Sequence, residues 1–371
     1  MTNQSALPRT PSPSRAPWTK HIPTALIMLT FAVGGYFAGA ALGRLLKGGA
    51  YGVISPWTLA LIPGAAFAAL ALHEFGHVLG GWASGFRLYL FAAGPVRLQR
   101  IGGRLKLSFN SSLALWGGIA ASLPVRPDLD VPQMRAALTR IVAGGPALSA
   151  LGALALLIPA NIAVTTFGLT SLLVAIATLI PNRMGGYASD GCRLRQLLTN
   201  HPESGRWMAL ALLAGYSESV RPAEWPAPLV AQASEPHTAT NDGISGAWMR
   251  ASSHLDRNEI DLAESWLAFA LDNECAWPAV MRPLLHADAV FLHALHRDDS
   301  AAARRHLPRL KTRGLLPAYV PALAEAAVLA AEGQRSAAAA QLERARLPKD
   351  AALSSQLARE LAEKIRRRIA A

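Results

Sequence analysis

Charge is scarce in this chain. Asp, Glu, Lys and Arg make up 16% of its 371 residues and hydrophobic residues 51%, against ~25% charged in an ordinary soluble domain. So little charge excludes a wholly soluble design and points to lipid as the solvent for much of the chain. Cysteine is scarcer still: Cys192 and Cys275 are far apart and outside any C-x-x-C pattern, which gives no sign of a disulfide framework. Acidic residues number 24 against 36 basic ones, a formal net charge of +12. Basic residues beside apolar segments are ordinary topology determinants facing anionic lipid, so the excess does not imply a nucleic-acid partner.

The missing charges are missing in blocks. Ile22 to Gly43 is free of formal charge and bounded by Lys20 and Arg44; as helix its length is ~33 Å, enough to cross a hydrocarbon core of ~30 Å. It is too long for the apolar region of a signal peptide, ~7 to 15 residues, and reads as a retained anchor. Gly48 to Leu72 is also uncharged and opens a second span, approximately Ser55 to Trp82. Ile141 to Asn182 lacks formal charge throughout, and as one helix would reach ~63 Å, about twice a membrane. Two spans joined at Pro159-Ala160-Asn161 account for it better. Four spans put both ends on one side. Three basic residues precede residue 22 and seven lie between Arg87 and Arg135, whereas the opposite loops hold Arg44 and Lys47. The positive-inside rule therefore predicts cytoplasmic termini and a multi-pass cell-membrane protein, with a bacterial inner membrane as the expected setting.

At the end of the second span stands His73-Glu74-Phe75-Gly76-His77. Two histidines four residues apart project from one helical face, where their imidazoles can hold one Zn²⁺. Glu74 is placed to take a proton from a metal-bound water and pass it to a leaving amine. An H-E-x-x-H arises by chance in roughly one sequence in a hundred of this length and composition, but polar residues at the end of an apolar span are expensive unless they face a cavity, a protein interior or a metal. A catalytic zinc usually takes three protein ligands. The best remaining donor is Asp190, after the fourth span; Asp190-Gly191 is equally a solvated turn dipeptide, and the residues alone leave both readings open.

In this order of motifs the chain resembles the site-2 protease family of intramembrane zinc metalloproteases: HEFGH at 73–77, Gly145-Pro146-Ala147-Leu148-Ser149 in the third span, and Asp190-Gly191 after the fourth. The resemblance covers roughly residues 50–198. It implies one zinc per chain with His73, His77 and Asp190 as ligands, Glu74 as catalytic base, Pro146 and Ser149 as substrate contacts, and a membrane-anchored protein as substrate. Two departures bear on substrate handling: Ser149 stands where the family commonly has asparagine, and Pro181 to Ser189 replaces an Asn-Pro-rich approach to the aspartate.

Arg104 to Phe109 alternates polar and apolar residues, as does Val96 to Gln99, with Gly102-Gly103 between them. This predicts a β-hairpin, whose edge beside the site would suit pairing with an unwound substrate. Beyond residue 200, Pro222, Pro226, Pro228 and Pro236 mark a linker before an Ala- and Leu-rich region. Segments starting at His254, Ala294 and Ala330 are alike, at intervals of 40 and 36 residues. They suggest helical hairpins, similar to tetratricopeptide repeats, whose stacks offer a surface for a protein partner. His286, His293 and His296 have no supporting cysteine or carboxylate pattern and are not read as a second metal site.

The expected fold is a mainly α membrane protein of about four transmembrane helices with a small membrane-associated β-hairpin, followed by a cytosolic all-α helical-repeat domain. Its expected divisions are a tail at 1–21, a transmembrane metalloprotease domain at 22–200, a juxtamembrane helix and Pro-rich linker at 201–242, and the repeats at 243–371. The leading function is an intramembrane zinc endopeptidase cutting near the cytoplasmic face. A non-proteolytic membrane adaptor with a relict site is the alternative. A transporter is disfavoured because the polar residues cluster at one membrane face.

Overall fold

The computed structural model describes residues 56–371 except 102, 127, 159–161, 185–186 and 312–314. The expected tail and first span, Ile22 to Gly43, lie outside the described residues. Among the described residues three helices are long and apolar enough to cross a bilayer. Helix α1 is Pro56–Trp82, α2 is Val131–Ala153 and continues as a 3₁₀ turn to Leu157, and α3 is Ile162–Leu179. The 3₁₀ turn ends at Leu157 and α3 begins at Ile162; the expected join, Pro159-Ala160-Asn161, lies outside the described residues. Helix α2 starts ten residues before the long uncharged run does, because Arg135 and Arg140 lie within it. Asp130 caps it, accepting from Gln133 N while the Gln133 side chain reaches back to Asp130 N.

The polarity of these helices is inside out. Phe75, Leu79 and Trp82 of α1, Leu151 of α2, and Leu172, Ile176 and Leu179 of α3 are exposed, whereas His73, Glu74, Ser149 and Ser171 are buried. Glycines bring α1 and α2 together. A Cβ on Gly76 would lie 2.2 Å from Gly144 O, and one on Gly80 would lie 2.3 Å from Arg140 O. Only a residue without a side chain fits at either place, the small-residue contact expected where lipid offers no hydrophobic drive to associate.

The expected hairpin is part of a larger antiparallel sheet. Strands β1 (Phe86–Ala93), β2 (Val96–Ile101), β3 (Arg104–Phe109) and β4 (Ile119–Pro124) run in the order β3-β2-β1-β4. The predicted β2–β3 pair forms as read, with Leu98 opposite Leu107 and Ile101 opposite Arg104. It occupies the far edge, while β4, the other edge, packs against α1: a Cβ on Gly81 would touch Ser122 Oγ at 3.0 Å.

A two-residue pair, β5 (Arg183–Met184) with β6 (Tyr187–Ala188), leads into α4, Asp190–Leu198. The stretch expected as a juxtamembrane helix and Pro-rich linker is ordered throughout its described length. It comprises α5 (Pro202–Tyr216) and α6 (Ala227–Ser234), with Trp225 buried between them. Its prolines start helical turns rather than loosen the chain: Pro202, Pro222 and Pro228 each sit in a first turn, where a missing N–H costs nothing. Phe86, Met134, Leu138, Leu197, Met208 and Leu212 form one core that joins β1, α2, α4 and α5.

Three helical hairpins follow: α7 (Asn241–Asp256) with α8 (Ile260–Asp272), α9 (Arg282–His296) with α10 (Ser300–His306), and α11 (Val320–Ala331) with α12 (Arg335–Arg344). Helix α13, Leu353–Ala370, closes the series. Each hairpin turns on one residue of positive φ: Asn258 (60°), Asp298 (58°) and Gly333 (73°). These residue types tolerate the left-handed conformation best. The second interval between them is 35 residues rather than the 36 of the sequence match, because the third turn places its left-handed residue one position earlier.

Candidate metal centre

Among the described residues one cluster of three potential ligands stands out as able to hold a metal, His73, His77 and Asp190, whose ligand atoms lie within 4.8 Å of one another. The first two come from α1, one turn apart. The third is the first residue of α4. His73 Nε2 is 3.2 Å from Asp190 Oδ2, and His77 Nε2 is 3.6 Å from Oδ1. The two Nε2 atoms are 3.2 Å apart.

The other ring nitrogens are engaged. His77 Nδ1 donates to the backbone carbonyl of Ile141 at 2.8 Å, so in the neutral ring Nε2 carries the lone pair. His73 Nδ1 pairs with Ser149 Oγ at 2.9 Å. Both supports come from α2, within reach because the glycines let the two helices meet. A supporting hydrogen bond of this kind orients a ligating imidazole and fixes its tautomer. The third group fits the same reading: Asp190 Oδ2 is buried and accepts no hydrogen bond, an expensive state for an oxygen with no cation to satisfy it. Space for the rings exists because residue 145 is glycine, where a Cβ would lie 2.4 Å from His77 Nε2 and 3.0 Å from His73 Cε1. Donor set, orphaned oxygen and cradle all suit a divalent ion taking two imidazoles and a carboxylate.

Asp190 owes its place to the residues around it. Ser189 Oγ donates to Ile180 O at 2.8 Å and accepts from Asn182 N at 3.0 Å and Cys192 N at 3.2 Å, capping α4 and tying it to the end of α3. A Cβ on Gly191 would come within 1.8 Å of Leu179 O. Asp190-Gly191 is thus the start of a helix pressed on its neighbour, and not a solvated turn.

Glu74, 8% exposed, lies against the segment that leads into β4. Gly118 has φ of 99°, and a Cβ there would lie 2.4 Å from Glu74 Oε1. The buried side chain of Asn110 braces this segment, with Nδ2 donating to Gly94 O and Oδ1 accepting from Ser112 N. Trp116 Nε1 donates to Asn110 O. The strand beside the site is therefore β4, and not the β2–β3 hairpin whose edge was expected there.

Ser149 and Pro146 were expected to touch substrate. Both are buried in α2, and the Ser149 hydroxyl is occupied by His73. Sequence reading missed this support, the Ile141 carbonyl and Gly118. The four-residue interval between Gly76 and Gly80 was the available signal for the close face of α1. Elsewhere, His286 Nδ1 meets His306 Nδ1 at 2.9 Å and His286 Nε2 meets Glu274 Oε2 at 2.8 Å, while the His293 and His306 rings stack. That chain of contacts divides His286 between two neighbours and does not converge on a point.

Comparison with family models, with curated proteins and with solved structures returned no match.

Proposed function

We propose that the chain is a membrane-embedded zinc endopeptidase, similar to the site-2 protease family, that cuts a membrane-anchored protein near the cytoplasmic face. The observation that carries this reading is the convergence of His73, His77 and Asp190 beside a buried carboxylate, at the end of a helix whose outward face is apolar. Zinc held by these three residues supplies a water of lowered pKa and polarises a scissile carbonyl. Glu74 accepts the proton of the attacking water on its carboxylate and delivers it to the leaving amine. Gly118, which has no Cβ, makes room for Glu74 Oε1 beside it. His73 and Glu74 are buried and His77 and Asp190 half-buried, which restricts the water that reaches the cluster.

The basic residues support a cytoplasmic placement of the termini, the sheet and the helical hairpins, with the site at the cytoplasmic end of α1. The hairpins then face the cytoplasm, where their surface suits a protein partner.

Glu74→Gln keeps the shape of the side chain and removes the base. In membranes holding the parent chain, new protein termini appear near the cytoplasmic boundary of single-span proteins, read by terminal-peptide mass spectrometry. With Glu74→Gln they disappear while one zinc per chain is retained. Equal cleavage by the two chains rejects the mechanism, and absence of cleavage by both favours the adaptor.

A further inference from the structure

We propose that the buried ion pair between Arg193 and Asp242 is a positioning device for Asp190, so that the first C-terminal hairpin holds a metal ligand in place. The inference rests on the metal-centre reading above. Arg193 lies one turn beyond Asp190 on α4, a helix of nine residues that is too short to be stable alone. Its guanidinium donates to Asp242 through two bonds, NH1 to Oδ2 at 2.6 Å and NH2 to Oδ1 at 2.7 Å. It also lies over the Trp207 ring at 4.5 Å, and NH1 reaches Gln196 Oε1 at 3.3 Å. Arg193 is 9% exposed and Asp242 3%.

A buried ion pair is weak ground for a stability role, because apolar residues of the same volume often serve as well or better. Geometry gives it a more specific one. The planar fork fixes distance and angle together, and stacking on Trp207 of α5 fixes the plane. Rotation of α4 about its axis, which would carry the Asp190 carboxylate off the two Nε2 atoms, must break these contacts. The other end of the pair is firm: Asp242 is in the first turn of α7, capped by Thr240, and a Cβ on Gly246 would lie 1.9 Å from Ala233 O of α6. Ligand sites need their groups held within ~0.5 Å; Ser189 and the buried Leu197 hold the two ends of α4, and the Arg193 fork fixes its rotation between them.

The test compares zinc affinity, by chelator competition in the full chain in detergent, for the parent, Arg193→Lys, Asp242→Asn and the double variant Arg193→Lys with Asp242→Glu. Arg193→Lys keeps the charge and loses the fork. We expect Arg193→Lys and Asp242→Asn each to weaken zinc by ~10-fold or more, with faster hydrogen exchange across 190–198 and unchanged exchange in α8. The double variant, with a shorter cation and a longer anion, restores the span of the pair but not the fork, and recovers less than half of the loss on a logarithmic scale. If Asp242→Asn fails to fold, Arg193→Lys and the double variant decide the matter. A parent that binds zinc while Arg193→Lys matches it within twofold overturns the inference alone. A parent that binds no zinc overturns it together with the metal-centre reading.

Discussion

Helices α1 and α2 meet through glycines, whereas the helices of the C-terminal hairpins meet through alanine, leucine and tryptophan. In the first region the backbones are so close that a single methyl group at residue 76, 80 or 144 would strike a carbonyl or its neighbouring backbone. In the second, Ile244, Trp266, Trp277, Leu285 and Leu292 form one core, and Leu323, Val328 and Ile365 belong to another. Water drives the second kind of packing, at ~1.5–3 kcal/mol for each large side chain buried. In lipid, where we propose that α1 and α2 lie, it does not drive the first, and fit and polar contacts between helices take its place. The close fit is also what brings Ser149 and the Ile141 carbonyl to the histidines. One region is built for position and the other for stability.

That contrast breaks most sharply under paired substitutions. Gly145→Ala should remove zinc binding almost entirely, beyond the ~10- to 100-fold that loss of a supporting hydrogen bond costs, because its Cβ falls on His77; melting of the hairpins should stay unchanged. Leu323→Ala, at a site 1% exposed, should lower the stability of the hairpins by ~2–5 kcal/mol and leave zinc affinity alone while the fold holds. Circular dichroism and chelator competition on both variants separate the two regions, and a shared loss in either assay denies the separation. Ser149→Ala is expected to act more gently on the first region, weakening zinc ~10- to 100-fold with cleavage falling in parallel. Were Ser149 a substrate contact instead, cleavage would fall with zinc affinity intact.

The smallest effect concerns acid. Burial, then His286, His293, Arg305 and Arg309, push His306 down from 6.5 to about 4. A histidine less basic in the folded chain than in the unfolded one leaves the unfolded chain holding more protons. Its contribution is whole above the unfolded value and is lost as pH falls towards the folded one. The hairpins should therefore melt at lower temperature as pH drops from 6.5 to 4, and His306→Gln should flatten that slope. An equal slope in the variant assigns the effect to other groups.

Much of this was legible in residue patterns, for reasons that differ by element. HEFGH carries its own geometry, since four residues make a helical turn. The β2–β3 hairpin showed because one face of each strand is apolar and the other polar. Strands β1 and β4 stayed hidden: β1 alternates buried and half-buried positions, but from Tyr89 to Ala93 both of its faces carry apolar or aromatic residues, and β4 holds Ala120, Ala121 and Ser122 at its centre, without a polar-apolar period. Helix α5 falls where a juxtamembrane helix was expected, but α6 was obscured by prolines, which read as a linker until seen in first turns. The supports of the histidines were not legible, because they depend on how near α2 comes to α1. Ser149 looked like a substituted substrate contact when read in its motif. Its hydroxyl faces His73.

The two histidines differ in how their support can be lost. His73 leans on a side chain that one nucleotide change can alter, but His77 leans on the carbonyl of Ile141, which every amino acid supplies. No substitution at 141 deletes that oxygen; only moving the helix does. In lineages descended from this chain, decay of the site through its supports should therefore begin at residue 149, with the second histidine still aimed after the first has begun to turn.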